Sequence, residues 1–120
     1  ELSNDKLCTI GSHTENHFAL NKLSEIEVIE EILNAKTRLE SKIQKKVEHF
    51  AYPFGSENEV GQREIDIIKA LGLKTTTTTR RGNIRKKHVN YLECLPRIML
   101  TEDFKINEIG KIQRNIFVTK

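Results

Sequence analysis

Apolar residues recur at steps of three and four through Val28, Ile32, Ala35, Leu39 and Ile43, the spacing that lines one face of an α-helix. Ser24-Glu25-Ile26-Glu27 stands just ahead of them and reads as a capping box, with the Ser24 hydroxyl and the Glu27 carboxylate serving free backbone donors at a helix start. The pattern predicts a helix from there to about Lys46, with Lys36, Glu40 and Lys45 off the buried face. Short β-branched and apolar runs predict strands at Leu7 to Ile10, ending at Gly11, and at Val47 to Tyr52, stopped by Pro53 and Gly55. Ser56-Glu57-Asn58-Glu59 repeats the capping signature and predicts a second helix carrying Val60, Glu64, Ile68 and Leu71, with Gly72 as its stop. Leu73 to Thr79 contains five consecutive threonines; branching at Cβ suits the pleat, so this run is expected to be a strand. Arg80 to Asn90 is polar and basic and is expected to be a surface loop. Leu95 to Leu100 then gives a fourth strand, and Thr101 caps a last helix with Phe104, Ile109 and Ile112.

Strands alternating with helices predict an α/β fold, a mostly parallel sheet with helices packed against it. Four strands are too few to close a (β/α) barrel, so an open sheet or part of a barrel is expected. The 120 residues suit one domain over 1–120. Apolar residues make up 37% and charged ones 31%, a balance that excludes disorder. No apolar run is long enough for a bilayer span. The chain opens Glu1-Leu2-Ser3, with neither an initiator methionine nor a secretory leader, and is expected to derive from something longer.

A net charge of +3 is mild, and the basic stretch Arg80, Arg81, Arg85, Lys86, Lys87, His88 has no interleaved aromatic residues to stack bases. No nucleic-acid partner is expected. Cys8 and Cys94 form no CxxC and read as reduced thiols packed like small hydrophobes.

The sharpest chemical feature is His13-Thr14-Glu15-Asn16-His17, just past a predicted strand end. Two imidazoles four residues apart can converge on one cation through neutral ring nitrogens. From spacing alone, two loop histidines without a ligand are the readier reading. A zinc-protease site needs Glu directly after the first histidine; Thr14 holds that place. His49 reads as a packed or surface histidine, and Asp103 as a first-turn helix acid.

With its neighbours, Ile10 to His17 resembles the H-[ST]-x-x-H motif of the polysaccharide deacetylases (NodB-homology domains, carbohydrate esterase family four). Phe50-Ala51-Tyr52-Pro53-Phe54-Gly55 is similar to their groove motif, and Leu95-Pro96-Arg97-Ile98 matches a bacterial branch in which F-A-Y-P-[YF]-G precedes L-P-R-I. The resemblance, over roughly residues 10 to 115, implies a partial (β/α) barrel with mostly parallel strands and flanking helices. It implies a divalent metal, zinc foremost, on His13 and His17, with Thr14 steadying the loop. It puts substrate and oxyanion contacts at Tyr52, Pro53 and Phe54: the Phe54 N–H beside the oxyanion, and Tyr52 and Phe54 along a sugar groove.

The implied function is metal-dependent removal of acetyl groups from N- or O-acetylated polysaccharide. The implied partner is that polymer, and the implied location is the cell envelope or the extracellular space. The departures matter as much. The family's T-F-D-D motif supplies the base and third ligand, yet no Asp-Asp occurs in this sequence. The late L-x-H motif carrying the general acid is absent too, and Ala51 stands where most members have arginine. The chain is therefore expected to be the middle and C-terminal portion of the domain, inert alone, and to self-associate over exposed strand edges. The rival reading is a non-catalytic glycan-binding or structural remnant of the same fold.

Overall fold

The structure is a computed structural model, described here for residues 2–99. Three strands, β1 (His49–Ala51), β2 (Thr75–Arg81) and β3 (Leu95–Arg97), form one sheet in the order β1-β2-β3. Both pairings are parallel, in register His49↔Thr75 through Ala51↔Thr77 and, with an irregularity, Thr77↔Leu95 to Arg81↔Arg97. Two helices, α1 (Glu25–Ile43) and α2 (Gln62–Ala70), precede β1 and β2. This is the partial (β/α) arrangement expected from the alternation.

The Ser24 cap forms as read: Ser24 Oγ accepts from the Glu27 N–H and the Glu27 carboxylate accepts from the Ser24 N–H. Helix α1 stops at Ile43, short of Lys46, because Gln44 turns left-handed at φ 56° while its N–H still reaches the Glu40 carbonyl. Val47 does not open β1; its N–H is taken by the Glu40 carboxylate at 2.8 Å. In the Ser56 motif the Ser56 N–H and hydroxyl both donate to the Glu59 carboxylate, but the Glu59 N–H goes to the Ser56 carbonyl rather than the hydroxyl, and the motif closes only a turn, with Val60 N–H returning to the same carbonyl. Helix α2 begins later, after Gly61, whose N–H donates to Glu64 Oε2 at 2.8 Å.

The expected strand at Leu7 to Ile10 is corrected. Leu7 is 98% exposed and its N–H is captured by the Asp5 carboxylate. Strand-like pairing falls instead at Ser12, which bridges Phe50 in parallel, with Ser12 N–H on the His49 carbonyl and Ala51 N–H on the Ser12 carbonyl. Ser12 thus extends the sheet beyond β1 by a single bridge.

The basic loop is corrected as well: Arg80 and Arg81 belong to β2, and Lys86–Asn90 is a 3-10 turn. Arg80 reaches inward, its guanidinium bonded to the Val60 carbonyl at 2.6 Å and to Cys94 Sγ at 3.0 Å. Both cysteines are free and half-buried. The fourth strand is shorter than read, Leu95–Arg97. The helix expected after Thr101 lies outside the described residues.

The core joins Val28 and Ile32 of α1, Phe50 of β1, Ile67 and Ile68 of α2, and Tyr52. Burying each large apolar side chain contributes about 1.5–3 kcal/mol. Along β2 the alternation buries Thr76 and Thr78 and leaves Thr75 and Thr77 half-exposed. The half-exposed set, with His49, Ala51, Gly11 and His13, lines an open cleft of about 530 Å³. Among the described residues no helix is long and apolar enough to cross a membrane.

Candidate metal centre

The site is built where the Ser12 bridge ends and the chain leaves the sheet. Ser12 is fixed to β1 by two backbone bonds, so His13 emerges beside the end of that strand. The His13 ring reaches the Ala51 carbonyl at 2.7 Å through Nδ1. A carbonyl only accepts, so Nδ1 carries a proton, and in the neutral ring the free lone pair is on Nε2. That tautomer and anchoring are what a metal-binding histidine requires.

The next residues fold the second histidine back over the first. Thr14 and His17 take left-handed backbone angles, φ 66° and 60°. Such angles in non-glycine residues cost on the order of 1–3 kcal/mol each. The Thr14 hydroxyl accepts the His17 N–H at 3.0 Å, closing the loop on itself. The two imidazole centroids lie 4.7 Å apart at an interplanar angle of 72°.

The turn after β1 completes the surroundings. Phe54 (φ 61°) and Gly55 (φ 66°) turn left-handed, and the Gly55 N–H donates to the Pro53 carbonyl at 2.7 Å. Thr79 clamps this turn from β2, its N–H on the Gly55 carbonyl and its hydroxyl on the Phe54 carbonyl. The exposed Phe54 ring stands edge-on to His17, centroids 5.2 Å apart. His13, His17 and Phe54 therefore form one cluster.

Tyr52 does not join it. Its side chain is 1% exposed, and its hydroxyl donates to the Glu93 carbonyl at 3.0 Å. Burial pushes the phenol well above the usual tyrosine range. Tyr52 is a core residue in this structure rather than a groove wall, and the Pro53 side chain is buried beside it. His49 Nδ1 pairs with the Thr75 hydroxyl at 2.7 Å, while His88 Nδ1 accepts the Arg85 N–H. Asp103 lies outside the described residues.

Sequence reading missed Glu31. It sits in the apolar stripe of α1, between Val28 and Ile32, and is buried. Its carboxylate accepts the N–H of Glu15 at 3.1 Å, the N–H of Asn16 at 2.9 Å and the Asn16 side-chain amide at 2.5 Å. A charged residue inside a helical apolar stripe was the available signal.

The donor set fits part of a zinc site. Two imidazoles with one ring fixed by a carbonyl suit the metal, but a catalytic zinc takes three protein ligands. Among the described residues no cluster of three or more His, Cys, Asp or Glu is placed to hold an ion.

Comparison with known proteins converges on one family. The sequence model of the polysaccharide deacetylases matches residues 1–76. Among solved structures, a Streptococcus pyogenes deacetylase, PplD, in complex with acetate, superposes with a TM-score of 0.76 at 24% identity, over 85% of this chain and 43% of that one. At that identity the likeness speaks for the fold. BC0361, a polysaccharide deacetylase from Bacillus cereus, superposes with a TM-score of 0.74 at 26% identity, over 87% of this chain and 31% of that one. The chain thus spans less than half the length of these relatives. No curated protein matches it. With the matched segment covering the loop of His13 and His17, helix α1 and the turn at Phe54, this chain belongs to the polysaccharide deacetylase family.

Proposed function

We propose that this chain contributes the two-histidine part of the metal centre of a deacetylase acting on N- or O-acetylated polysaccharide. The observation that carries the reading is the convergence of His13 and His17, with Nε2 of His13 left free by the bond from Nδ1 to Ala51. His13 and His17 would hold a divalent ion, zinc by the chemistry of the donors. Bound there, the ion would polarise an acetyl carbonyl and acidify a water molecule.

The chain's own residues prepare the place for that chemistry. Thr14 closes the loop between the ligands. The turn of Pro53, Phe54 and Gly55 presents the Phe54 ring beside His17, and the Phe54 N–H would steady a developing oxyanion. The exposed Phe54 ring offers an apolar face to a sugar. The family's base, third ligand and general acid have no counterpart in this sequence, so turnover would require groups from beyond it, and the isolated chain would be inert. A cell-envelope or extracellular polymer is the substrate class that the family suggests.

Acetate release from an N-acetylated glucosamine polymer tests this. A protein carrying this chain together with flanking sequence, loaded with zinc, is expected to release acetate. His13→Ala in the same protein should reduce the rate by two orders of magnitude or more, on the order expected when a ligand of a catalytic metal is lost. Undiminished release by the His13→Ala protein would remove the reading. Acetate release by the 120-residue chain alone would overturn the claim that it is inert.

A further inference from the structure

The loop between the two histidines pays a conformational cost at both Thr14 and His17, so something must hold it. The bond from His17 N–H to Thr14 is internal to the loop and exposed. His13 is tied to β1 at the start of the loop by its bond to Ala51, and Glu15 lies 3.8 Å from the Arg38 guanidinium at the surface. The residues between the histidines are tied to the body of the protein by a side chain outside every motif, Glu31, the buried carboxylate of α1. We infer that Glu31 is the positioning residue of the metal loop, setting the approach of His13 and His17 without touching either ring.

The geometry is specific. One carboxylate oxygen accepts two consecutive backbone N–H groups, those of Glu15 and Asn16, and the other accepts the Asn16 side-chain amide. Hydrogen bonds to a carboxylate are roughly twice as strong as neutral ones. A buried carboxylate without such donors would be costly, so helix and loop each require the other. Glu15 and Asn16 are the two residues that separate Thr14 from His17. Fixing their amides fixes the path between the ligands. Glu31 is held in turn by its place between Val28 and Ile32, both fully buried. The path between the two rings is thereby referred to the hydrophobic core through Glu31, while His13 keeps its own bond to Ala51.

The inference rests on the proposed metal site for its functional meaning, but its first readout needs no metal. In Glu31→Leu, which keeps bulk and apolar packing, the Glu15 and Asn16 amides are expected to exchange with solvent at least about tenfold faster than in the wild type, while amides in the core of α1 keep their protection. Zinc affinity, by titration with the metal alone, should fall by about 10–100-fold, the range seen when outer-sphere support of a ligand is lost. Glu31→Gln retains an oxygen able to accept both backbone amides and is expected to restore most of the affinity.

Unchanged exchange at Glu15 and Asn16 in Glu31→Leu would overturn the inference, as would unchanged zinc affinity where the wild type binds. Should Glu31→Leu fail to fold, Asn16→Ala decides, since it removes one of the three bonds at an exposed residue. A weakening of zinc binding by about threefold, or faster exchange of the Glu15 amide, supports the role; the absence of both changes would sink it. A wild type that binds no zinc defeats the proposed function and leaves the exchange measurement to judge Glu31.

Discussion

At Gly55 the backbone stands at φ +66°, and a Cβ there would meet the Thr79 nitrogen at 3.0 Å and the Tyr52 carbonyl oxygen at 3.2 Å. Gly72 has nearly the same angle, φ +70°, yet a Cβ would find nothing within 4 Å. The pair separates backbone strain from crowding. Gly72→Ala is expected to lower stability by about 1 kcal/mol, the cost of the angle alone. Gly55→Ala should cost about 2 kcal/mol or more, because Thr79 and its strand must shift as well. Urea unfolding of the two variants reads the difference, and equal losses would contradict it. At this scale the histidine pair was legible, because spacing and neighbouring motifs carry it. The partner of the Tyr52 hydroxyl was not. That hydroxyl finds the Glu93 carbonyl across 41 positions of sequence, and no local pattern encodes such a partner. For Glu31 the stripe of α1 signals burial, but its partners Glu15 and Asn16 lie in a distant loop that no local pattern encodes.

Among the elements, α1 does the most to place the site, through Glu31 near its middle and Glu40 near its end. Glu40 Oε1 accepts from the Lys36 ammonium at 2.7 Å and the Val47 N–H at 2.8 Å, joining the end of α1 to the approach to β1. The Lys36 bond, then the Val47 N–H, hold the Glu40 carboxyl below its ordinary 4.5. A depressed carboxyl stabilises the fold fully above that ordinary value, and the contribution fades as pH falls through the lower folded one. Glu40→Gln should therefore be less stable than the wild type at pH 7, with the gap closing on acidification below about pH 4.5. Urea midpoints measured across that range check the sign; a gap that stays constant would show that Glu40 carries no such linkage. The element boundaries show what local sequence can encode. Ser24 and Ser56 head similar motifs, and in both the serine N–H donates to the glutamate three residues on, but only at Ser24 does the glutamate N–H return to the serine hydroxyl. Only Ser24 starts a helix, because Gly61 is extended five residues after Ser56 and restarts the chain there. The run from Leu7 to Ile10 has the composition of a strand, but pairing is decided by what lies alongside, and only Ser12 reaches β1.

For the described residues, the sheet carries its helices and hydrophobic core on one side and opens a cleft on the other. Parallel sheets are ordinarily covered on both faces, and the relatives extend well beyond the part that this chain matches. The alternation of strands and helices made that architecture legible from sequence. The face that stays open was not legible, since Thr75 and Thr77 have the same residue type as the buried Thr76 and Thr78.

The account depends on the two imidazoles facing one cation, and nitrogen-resolved NMR of the histidine rings during zinc titration addresses this directly. Nε2 of both His13 and His17 should shift together and saturate at one zinc per chain, with Nδ1 of His13 protonated throughout and His49 and His88 unmoved. Shifts confined to one ring of the pair, or appearing first at His49 or His88, would contradict a shared site.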